Sequence, residues 1–338
     1  MDDNQDTSSV VDRTRLVEAG ALVVGTYFLD RTAVFALGEE ALLFVAAEGE
    51  TRRVEVHGGG ILSVASDGAR IVTGGDDGKV ISTDAKGARR TIFVDHKGRW
   101  IDSVATAPDG ATAWSAGKTV FMQADMNEPK SLDLPSSAGG LAFAPKGGGV
   151  AVAHYGGVSL WFPNLQHKPE ILQWKGSHHN VAYSPDGKFL VASMLEPMLR
   201  GWRLADTKHM RMSGYSTRVR SLGWTADGKW LATAGSEQLV MWPFQSREGP
   251  MGKRPRMFGT SAARVNVVAC HPKQEVVACG YADGWILLVR VDHCAEEVVR
   301  KADGTPVSSM AWDESGKSLA FGTEGGLAGV IDLASFVV

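Results

Sequence analysis

The sequence predicts an all-β fold, a closed β-propeller, and three observations lead to this prediction. A hairpin pattern recurs along the chain, most clearly at residues 181–191 (VAYSPDGKFLV), where alternating apolar residues flank the turn Ser184-Pro185-Asp186-Gly187. The third turn residue falls at positions 30, 67, 109, 146, 186, 227, 273 and 315, so successive turns lie 37 to 46 residues apart. Each interval holds several short apolar runs. A period of about 40 residues with several strands per repeat is typical of propeller blades.

Eight repeat units follow from this spacing. They are residues 22–57, 61–94, 100–134, 139–174, 180–212, 218–258, 265–299 and 306–338. We expect three apolar strands and a more polar outer strand in each unit, except that the eighth lacks a clear outer strand. Because such a sheet has two apolar faces, it must stack against its neighbours around an axis. The sequence therefore favours eight four-stranded blades, with seven as the alternative if the degenerate first or last unit is not a blade.

Closure of the ring requires the two ends of the repeat array to meet, since an open ring leaves unpaired strand edges. Residues 10–17 (VVDRTRLV) form a spare strand before the first unit, and we expect them to complete the last blade. The alternative is that residues 335–338 do so. Residues 1–9 are acidic and polar and are expected to be disordered, which leaves residues 10–338 as a single propeller domain.

Composition narrows the class of protein. The net charge is −3, so no global basic field favours nucleic acid. The three cysteines, Cys270, Cys279 and Cys294, are odd in number and form no CxxC pair, which argues for a reducing compartment. The start of the chain lacks the basic and apolar regions of a signal peptide, and no apolar run approaches the roughly 18 residues of a membrane span. These features predict a cytoplasmic protein that binds neither membrane nor nucleic acid.

Motifs for catalysis, cofactors and metals are lacking. The sequence contains no P-loop, no dinucleotide-binding glycine pattern after a strand, no HExxH and no GxSxG. Cys270-His271 with Cys279 does not have the spacing of a structural zinc site, and buried free cysteines are the expected interpretation. Residues 251–257 (MGKRPRM) form a basic loop that could contact an acidic partner, although a solvated loop is the simpler interpretation.

At these repeats the chain resembles the WD40-repeat family, in a degenerate, bacterial-type form. In that family a His before the first strand, a Ser or Thr in the second strand, an Asp in the next turn and a Trp in the third strand form a hydrogen-bonded brace. Trp161, Trp202 and Trp242 occupy the Trp position in units four to six, and His57 occupies the His position before unit two. No unit carries the whole set in sequence, so packing of the strands is expected to supply most of the stability.

The resemblance also implies where a partner would bind. In propellers the loops from the second to the third strand, and from the outer strand to the next inner strand, share one face, and WD40 proteins mostly bind partners there. Aromatic, Met and basic residues are enriched at interfaces, and these loops carry many of them. The candidate partner-binding residues are Arg99, Trp100, Tyr155, His178, His179, Glu196, Met198, Tyr215, Arg218, Tyr281 and Trp285. An interaction scaffold for a protein or peptide is therefore the first functional hypothesis.

The central channel supports the alternative hypothesis, an enzyme or small-ligand binder. Such a site needs polar groups converging from several inner strands. The inner strands offer mostly Val, Ala, Ser and Leu, and the polar exceptions are Asp102, Asn180, Arg220 and Asn266.

Overall fold

The architecture is all-β in a computed structural model that describes residues 13–124 and 127–334. Within these residues the chain forms thirty β-strands and no α-helix. We number the strands β1 to β30 in chain order, and neighbouring strands of each sheet pair antiparallel. Since there is no helix in this part of the chain, none is present that is long and apolar enough to cross a membrane.

The strands follow the predicted units closely. Unit one contains β2 Val23–Leu29, β3 Thr32–Leu37, β4 Ala41–Val45 and β5 Thr51–Glu55; unit two contains β6 Ile61–Ser66, β7 Arg70–Gly75, β8 Lys79–Asp84 and β9 Arg89–Val94; unit three contains β10 Ser103–Thr106, β11 Thr112–Ala116, β12 Thr119–Gln123 and β13 Lys130–Asp133. Units four and five together contain β14 Ala138–Phe143, β15 Val150–Trp161, β16 Glu170–Tyr183, β17 Phe189–Met194, β18 Met198–Arg203 and β19 Lys208–Ser213. Unit six contains β20 Leu222–Trp224, β21 Trp230–Thr233, β22 Leu239–Pro243 and β23 Arg256–Phe258; unit seven contains β24 Val265–Cys270, β25 Val276–Tyr281, β26 Ile286–Arg290 and β27 Ala295–Arg300; unit eight contains β28 Val307–Trp312, β29 Ser318–Thr323 and β30 Leu327–Asp332.

Seven hydrogen-bonded sheets result, six with four strands and one with six. Counted as sheets, the propeller has seven blades, and the favoured prediction of eight separate four-stranded blades is wrong. The sequence-based alternative of seven blades assumed that the first or last unit is not a blade, but both of these units form full sheets. Instead, units four and five share one sheet, in which the long strand β16 pairs with β15 through Glu170–Ser177 and with β17 through His178–Tyr183.

Glycine at the inner edge of unit four allows its inner strand to lie close to that of unit five. An added Cβ on Gly139 would lie 2.2 Å from the carbonyl oxygen of His178, and one on Gly140 would lie 2.7 Å from that of His179. The backbones of β14 and β16 can therefore approach each other only because neither position carries a side chain.

The strand before the first unit closes the ring, as predicted. β1, Thr14–Glu18, pairs antiparallel with β30, with Thr14 opposite Ile331 and Glu18 opposite Leu327. It completes the sheet β1-β30-β29-β28. Of the segment predicted to be this strand, residues 10–12 lie outside the described residues, as do residues 1–9 and the alternative closing segment 335–338.

The apolar core lies between successive units around the ring. Val23 and Phe35 of unit one pack in one cluster with Ala320 and Ala328 of unit eight, so the first and last units are joined by core contacts as well as by β1. Equivalent clusters lie between the other neighbouring units. Apolar area is thus buried all around the axis, and each Å² buried stabilises the folded state by about 25 cal/mol.

The recurring hairpin turn has the predicted geometry. In the clearest copy, Gly187 adopts a left-handed φ of 68° and its N–H donates to the carbonyl of Ser184 over 2.8 Å. The Asp186 carboxylate accepts from the Lys188 N–H over 3.0 Å. The turn at Thr225 repeats this arrangement, with Asp227 accepting from the Lys229 N–H over 3.0 Å. These turns lie at the end of the propeller opposite the loops that were predicted to bind a partner.

Candidate binding face and central channel

The predicted loop face exposes several large apolar side chains, of which three are more than half exposed. We define the loop face as the loops from second to third strands and from each outer strand to the next inner strand. Trp100, between β9 and β10, is 60% exposed; Tyr155, within β15, is 55% exposed; and Leu195, between β17 and β18, is 57% exposed. None of the three belongs to a core cluster, so packing does not explain them.

Tyr155 and Leu195 are brought together although they come from different units. Tyr155 is the register partner of Ser177 in the sheet, and the Leu195 N–H donates to the Ser177 carbonyl over 3.0 Å. The two residues are thus both next to Ser177 in the sheet, and we call them the Tyr155–Leu195 patch. The sequence analysis named Tyr155 but not Leu195 as a candidate partner-binding residue. A large aliphatic residue in the loop Leu195-Glu196-Pro197 is the signal that could have found it.

Arg99 fixes the loop that carries Trp100. Its guanidinium forms an ion pair with the Asp95 carboxylate at 2.8 Å and donates to the Ala116 carbonyl at 3.1 Å and the Thr119 hydroxyl at 3.2 Å. The hydrogen bonds from Arg99 hold the pKa of the Asp95 carboxyl below its usual value. Arg99 therefore positions the loop, while Trp100 remains exposed.

His178 and His179 differ in burial. His178 is 1% exposed, and its Nδ1 donates to the carbonyls of His154 and Gly176 at 3.2 and 3.1 Å, which leaves Nε2 without a partner. Burial lowers the pKa of both imidazoles. The neutral Nδ1–H form of His178 is consistent with these contacts. His178 is thus part of the interior, whereas His179 is half-buried beside the channel.

Glu196, Met198 and Arg218 lie in the same sector as the Tyr155–Leu195 patch. Glu196 is exposed, and Met198 and Arg218 are half-buried. The charges of Glu196 and Arg218 both act on the pKa of His179, the first raising it and the second lowering it, which places both groups near that ring. The structure therefore gathers more than half of the predicted site residues around units four to six.

Three of the predicted partner-binding residues are buried or half-buried instead of exposed on the loop face, namely Tyr215, Tyr281 and Trp285. The Tyr215 side chain is buried, and its hydroxyl accepts from the Trp242 indole N–H at 2.6 Å and shares a hydrogen bond of 2.8 Å with the Thr233 hydroxyl. The Tyr281 hydroxyl is also buried and donates to the Gly259 carbonyl at 2.6 Å. Trp285 is half-buried, with its ring centroid 4.8 Å from that of Tyr281. These side chains belong to the interior because each packs between strands of its own and the preceding unit.

A partial brace is present in unit two. The His57 ring bonds the Asp77 carboxylate through Nδ1 at 2.9 Å and the Thr73 hydroxyl through Nε2 at 2.8 Å. Thr83 stands at the Trp position, as the sequence indicated. In unit six Tyr215 occupies the place of the histidine. A sequence search restricted to histidine could not find this replacement.

The central channel forms a cavity of about 910 Å³ between the inner strands of units one, five, six, seven and eight. Its charged lining residues are Arg218, Arg220, Arg264 and Glu324. Asn180 and Asn266 also line it, but their amides join neighbouring units: Asn180 donates to the Arg220 carbonyl at 2.6 Å and Asn266 to the Val307 carbonyl at 3.5 Å. Asp102, the remaining polar candidate, is exposed and does not line this cavity.

The other sites considered from sequence are structural in character. Burial raises the pKa of the Cys270 and Cys279 thiols to about 12, which keeps them protonated at neutral pH. No group of three metal-ligating side chains occurs in residues 13–124 and 127–334. In the basic loop, Lys253 donates to Ser246 at 3.0 Å, and the Arg256 guanidinium lies 4.9 Å from the Trp230 ring centroid. Arg254 is exposed.

Several known proteins are similar to this chain. It is 26% identical over 153 residues to WD repeat-containing protein 1 of Mus musculus, which covers 43% of this chain and 25% of that protein. It is 28% identical over 156 residues to the target of rapamycin complex subunit wat1 of Schizosaccharomyces pombe, with coverages of 44% and 46%. It is 23% identical over 237 residues to the ciliary WD repeat-containing protein ctxp80 of Euplotoides octocarinatus, with coverages of 61% and 33%. The chain spans less than half the length of each of these relatives.

A solved structure shares the fold. The computationally designed Ika8 protein matches with a TM-score of 0.75 at 15% identity, over 92% of this chain and 96% of that chain. The family model described as WD domain, G-beta repeat matches residues 49–82 and 207–242. These are the two segments that hold the hydrogen-bonded brace, His57 with Thr73 and Asp77 in the first, and Tyr215 with Thr233 and Trp242 in the second. These matches support a WD40-repeat β-propeller family for this chain.

Proposed function

We propose that this chain is a non-catalytic interaction scaffold whose loop face binds a protein or peptide partner. The observation that carries this proposal is the Tyr155–Leu195 patch, two large exposed apolar residues from different units that are both next to Ser177 in the sheet. Exposed apolar groups that contribute nothing to packing are typical of interaction sites, and aromatic residues are enriched at their energetic centres.

The support beneath the patch favours binding as well. The backbone at Tyr155 is held in place. Its N–H donates to the Ser136 hydroxyl at 2.9 Å, and its register partner Ser177 lies in a continuous strand. A side chain presented on ordered backbone loses less conformational entropy on association. One relative, wat1, is named as a subunit of a complex, which agrees with a role in assembly.

The central channel supports binding of a ligand as a second candidate function. Its cavity of about 910 Å³ lies within the size range of small-molecule sites. Glu324 is its one carboxylate among the described lining residues, and none of these is a histidine or cysteine. General acid–base or nucleophilic catalysis needs such groups in proximity, so the channel favours ligand binding over turnover.

An affinity experiment with two matched triple variants tests the scaffold. Tagged wild-type protein is used to capture partners from its native lysate beside Trp100→Ala/Tyr155→Ala/Leu195→Ala. The control is Leu165→Ala/Met251→Ala/Met257→Ala, which removes side chains that are 53%, 43% and 50% exposed away from the loop face. We expect a stoichiometric partner to be held by wild type and control and lost by the loop-face variant. Equal capture by all three would rule out this face.

A further inference from the structure

We infer that the loop-face end of the central channel binds a group of clustered negative charge, either paired carboxylates or a phosphate. Arg218 and Arg220 lie in the segment that leads into β20, and Arg264 immediately precedes β24, so all three come from the entry to the inner strands of two adjacent units. All three line the same cavity. This inference concerns the channel and does not depend on the Tyr155–Leu195 patch.

The charge of the cavity is opposite to that of the protein. Three arginines and one glutamate line it, which gives an excess of two positive charges, whereas the whole chain carries a net charge of −3. The remaining lining residues are uncharged, such as Thr26, Ser221 and Ser308. A concave site with an excess of one sign concentrates ions of the other sign.

The three arginines have no partner among the residues that the structure describes. None forms an ion pair or a side-chain hydrogen bond there, in contrast to Arg99, Arg203 and Arg300, each of which is paired with an aspartate. Glu324 in the same cavity likewise forms no ion pair within the described ranges. Around one cavity, fifteen guanidinium N–H donors, five per arginine, are therefore without a partner among the described residues.

The ligand chemistry follows from the donors. Guanidinium groups bind carboxylate and phosphate oxygens through paired, charge-assisted hydrogen bonds, and a polyanion can engage several of them at once. The side-chain amides of Asn180 and Asn266, which also line the channel, already donate to neighbouring backbone carbonyls. Cations and purely apolar ligands are thus disfavoured at this end of the channel.

Two probes distinguish the possible sources of the anion. Fluorescein-labelled hexaglutamate, followed by fluorescence anisotropy, represents an acidic polypeptide segment, with hexaglutamine as the uncharged background. Pyrophosphate, followed by titration calorimetry, represents a small phosphate ligand. Binding of the peptide alone assigns the site to a partner polypeptide, and binding of pyrophosphate alone assigns it to a small molecule.

Two charge-matched variants make the test decisive. Arg218→Gln/Arg220→Gln/Arg264→Gln removes the cavity charges, and Lys146→Gln/Lys168→Gln/Arg254→Gln removes three exposed charges outside it. We expect the first to weaken binding of the effective probe by at least about tenfold and the second by less than about twofold. Urea unfolding of both variants verifies that they fold. Failure of both probes to bind wild type, or equal weakening by the two variants, would overturn the inference.

Discussion

The indole N–H of Trp242 donates to the Tyr215 hydroxyl over 2.6 Å, across 27 residues of chain in the interior of unit six. The same hydroxyl is bonded to Thr233, which in turn donates to the Val240 carbonyl at 3.0 Å. In unit two a histidine, His57, makes the corresponding contact to Thr73. A tyrosine therefore fulfils in one blade the bracing role that a histidine fulfils in another.

Replacement of Tyr215 by phenylalanine should destabilise the protein. The change removes the acceptor of the buried Trp242 N–H without altering the volume of the ring. Leaving a buried donor unpaired costs about 1–3 kcal/mol in the free energy of unfolding. Urea denaturation followed by tryptophan fluorescence measures the effect. Tyr155→Phe is the control, because its exposed hydroxyl forms no hydrogen bond among the described residues, and it should leave the midpoint unchanged. Equal midpoints for all three proteins would contradict the brace.

Addition of a methyl group at Gly139 should disturb the packing of unit four against unit five. The new Cβ would lie 2.2 Å from the His178 carbonyl oxygen, so β14 and β16 must move apart. We expect Gly139→Ala to lower the free energy of unfolding by about 1–3 kcal/mol, as overpacking does elsewhere. Gly58→Ala is the matched control, since no heavy atom lies within 4 Å of its Cβ position. Thermal unfolding of the two variants should differ, and a Gly139→Ala protein as stable as Gly58→Ala would disprove the close approach.

The stability of the protein should fall in mild acid, in part through His178. Burial lowers the pKa of this imidazole in the folded state, so the unfolded chain binds its proton more readily. Its contribution to stability is therefore complete above about pH 6.5, the pKa of an unperturbed histidine, and is lost as the pH falls below that value towards the folded pKa. The loss cannot exceed about 1.4 kcal/mol per pH unit for one proton.

Unfolding in urea at pH 7.5 and 5.5 measures this contribution. His178→Gln is expected to lose less stability between the two values than wild type does, whatever its stability at pH 7.5. His96→Gln, at an exposed position, should retain the wild-type loss. If His178→Gln and wild type lose the same amount, another group causes the acid sensitivity.

Removal of the closing strand should make the protein associate. Deletion of residues 1–18 takes away β1 and leaves β30 as an unpaired edge, with Val17 also lost from the cluster around Ala320 and Ala328. Exposed edges pair with other chains, so light scattering after size-exclusion chromatography should detect dimers or aggregates. Deletion of residues 1–9 alone should leave the protein monodisperse to the same degree as wild type and equally stable. Loss of stability in that shorter deletion would contradict the prediction that these residues are disordered.

The sequence predicted the elements that depend on local chemistry. Turns such as Ser184-Pro185-Asp186-Gly187 could be located because glycine supplies the left-handed φ and aspartate accepts the next N–H. The closing strand could be predicted because residues 14–18 belong to a segment whose sequence favours a strand, and because the last unit lacked an outer strand of its own.

Features that depend on contacts between units could not be predicted in the same way. The fusion of units four and five depends on β16 continuing from one unit into the next, and spacing along the chain does not reveal this continuity. The burial of Tyr215 and Tyr281 was missed because both lie where loop meets strand, and a one-residue difference there decides between surface and interior. The Arg218, Arg220 and Arg264 cluster was predicted only in part. Arg218 was assigned to the loop face and Arg220 to the channel, whereas Arg264 was missed, because the three come from two units and converge only in the closed ring.

The pairing of β1 with β30 also determines which step of folding comes last. Residues 14–18 are synthesised before any of the eight units, whereas their partner strand, Leu327–Asp332, is synthesised after all the other strands. Every other sheet consists of strands consecutive in sequence and can form during synthesis. Until β30 is made, the nascent chain holds an unpaired strand at one end and an incomplete ring at the other. Since pairing of distant segments is slow, closure is expected to be the last and slowest step of folding, and the period of greatest exposure to aggregation.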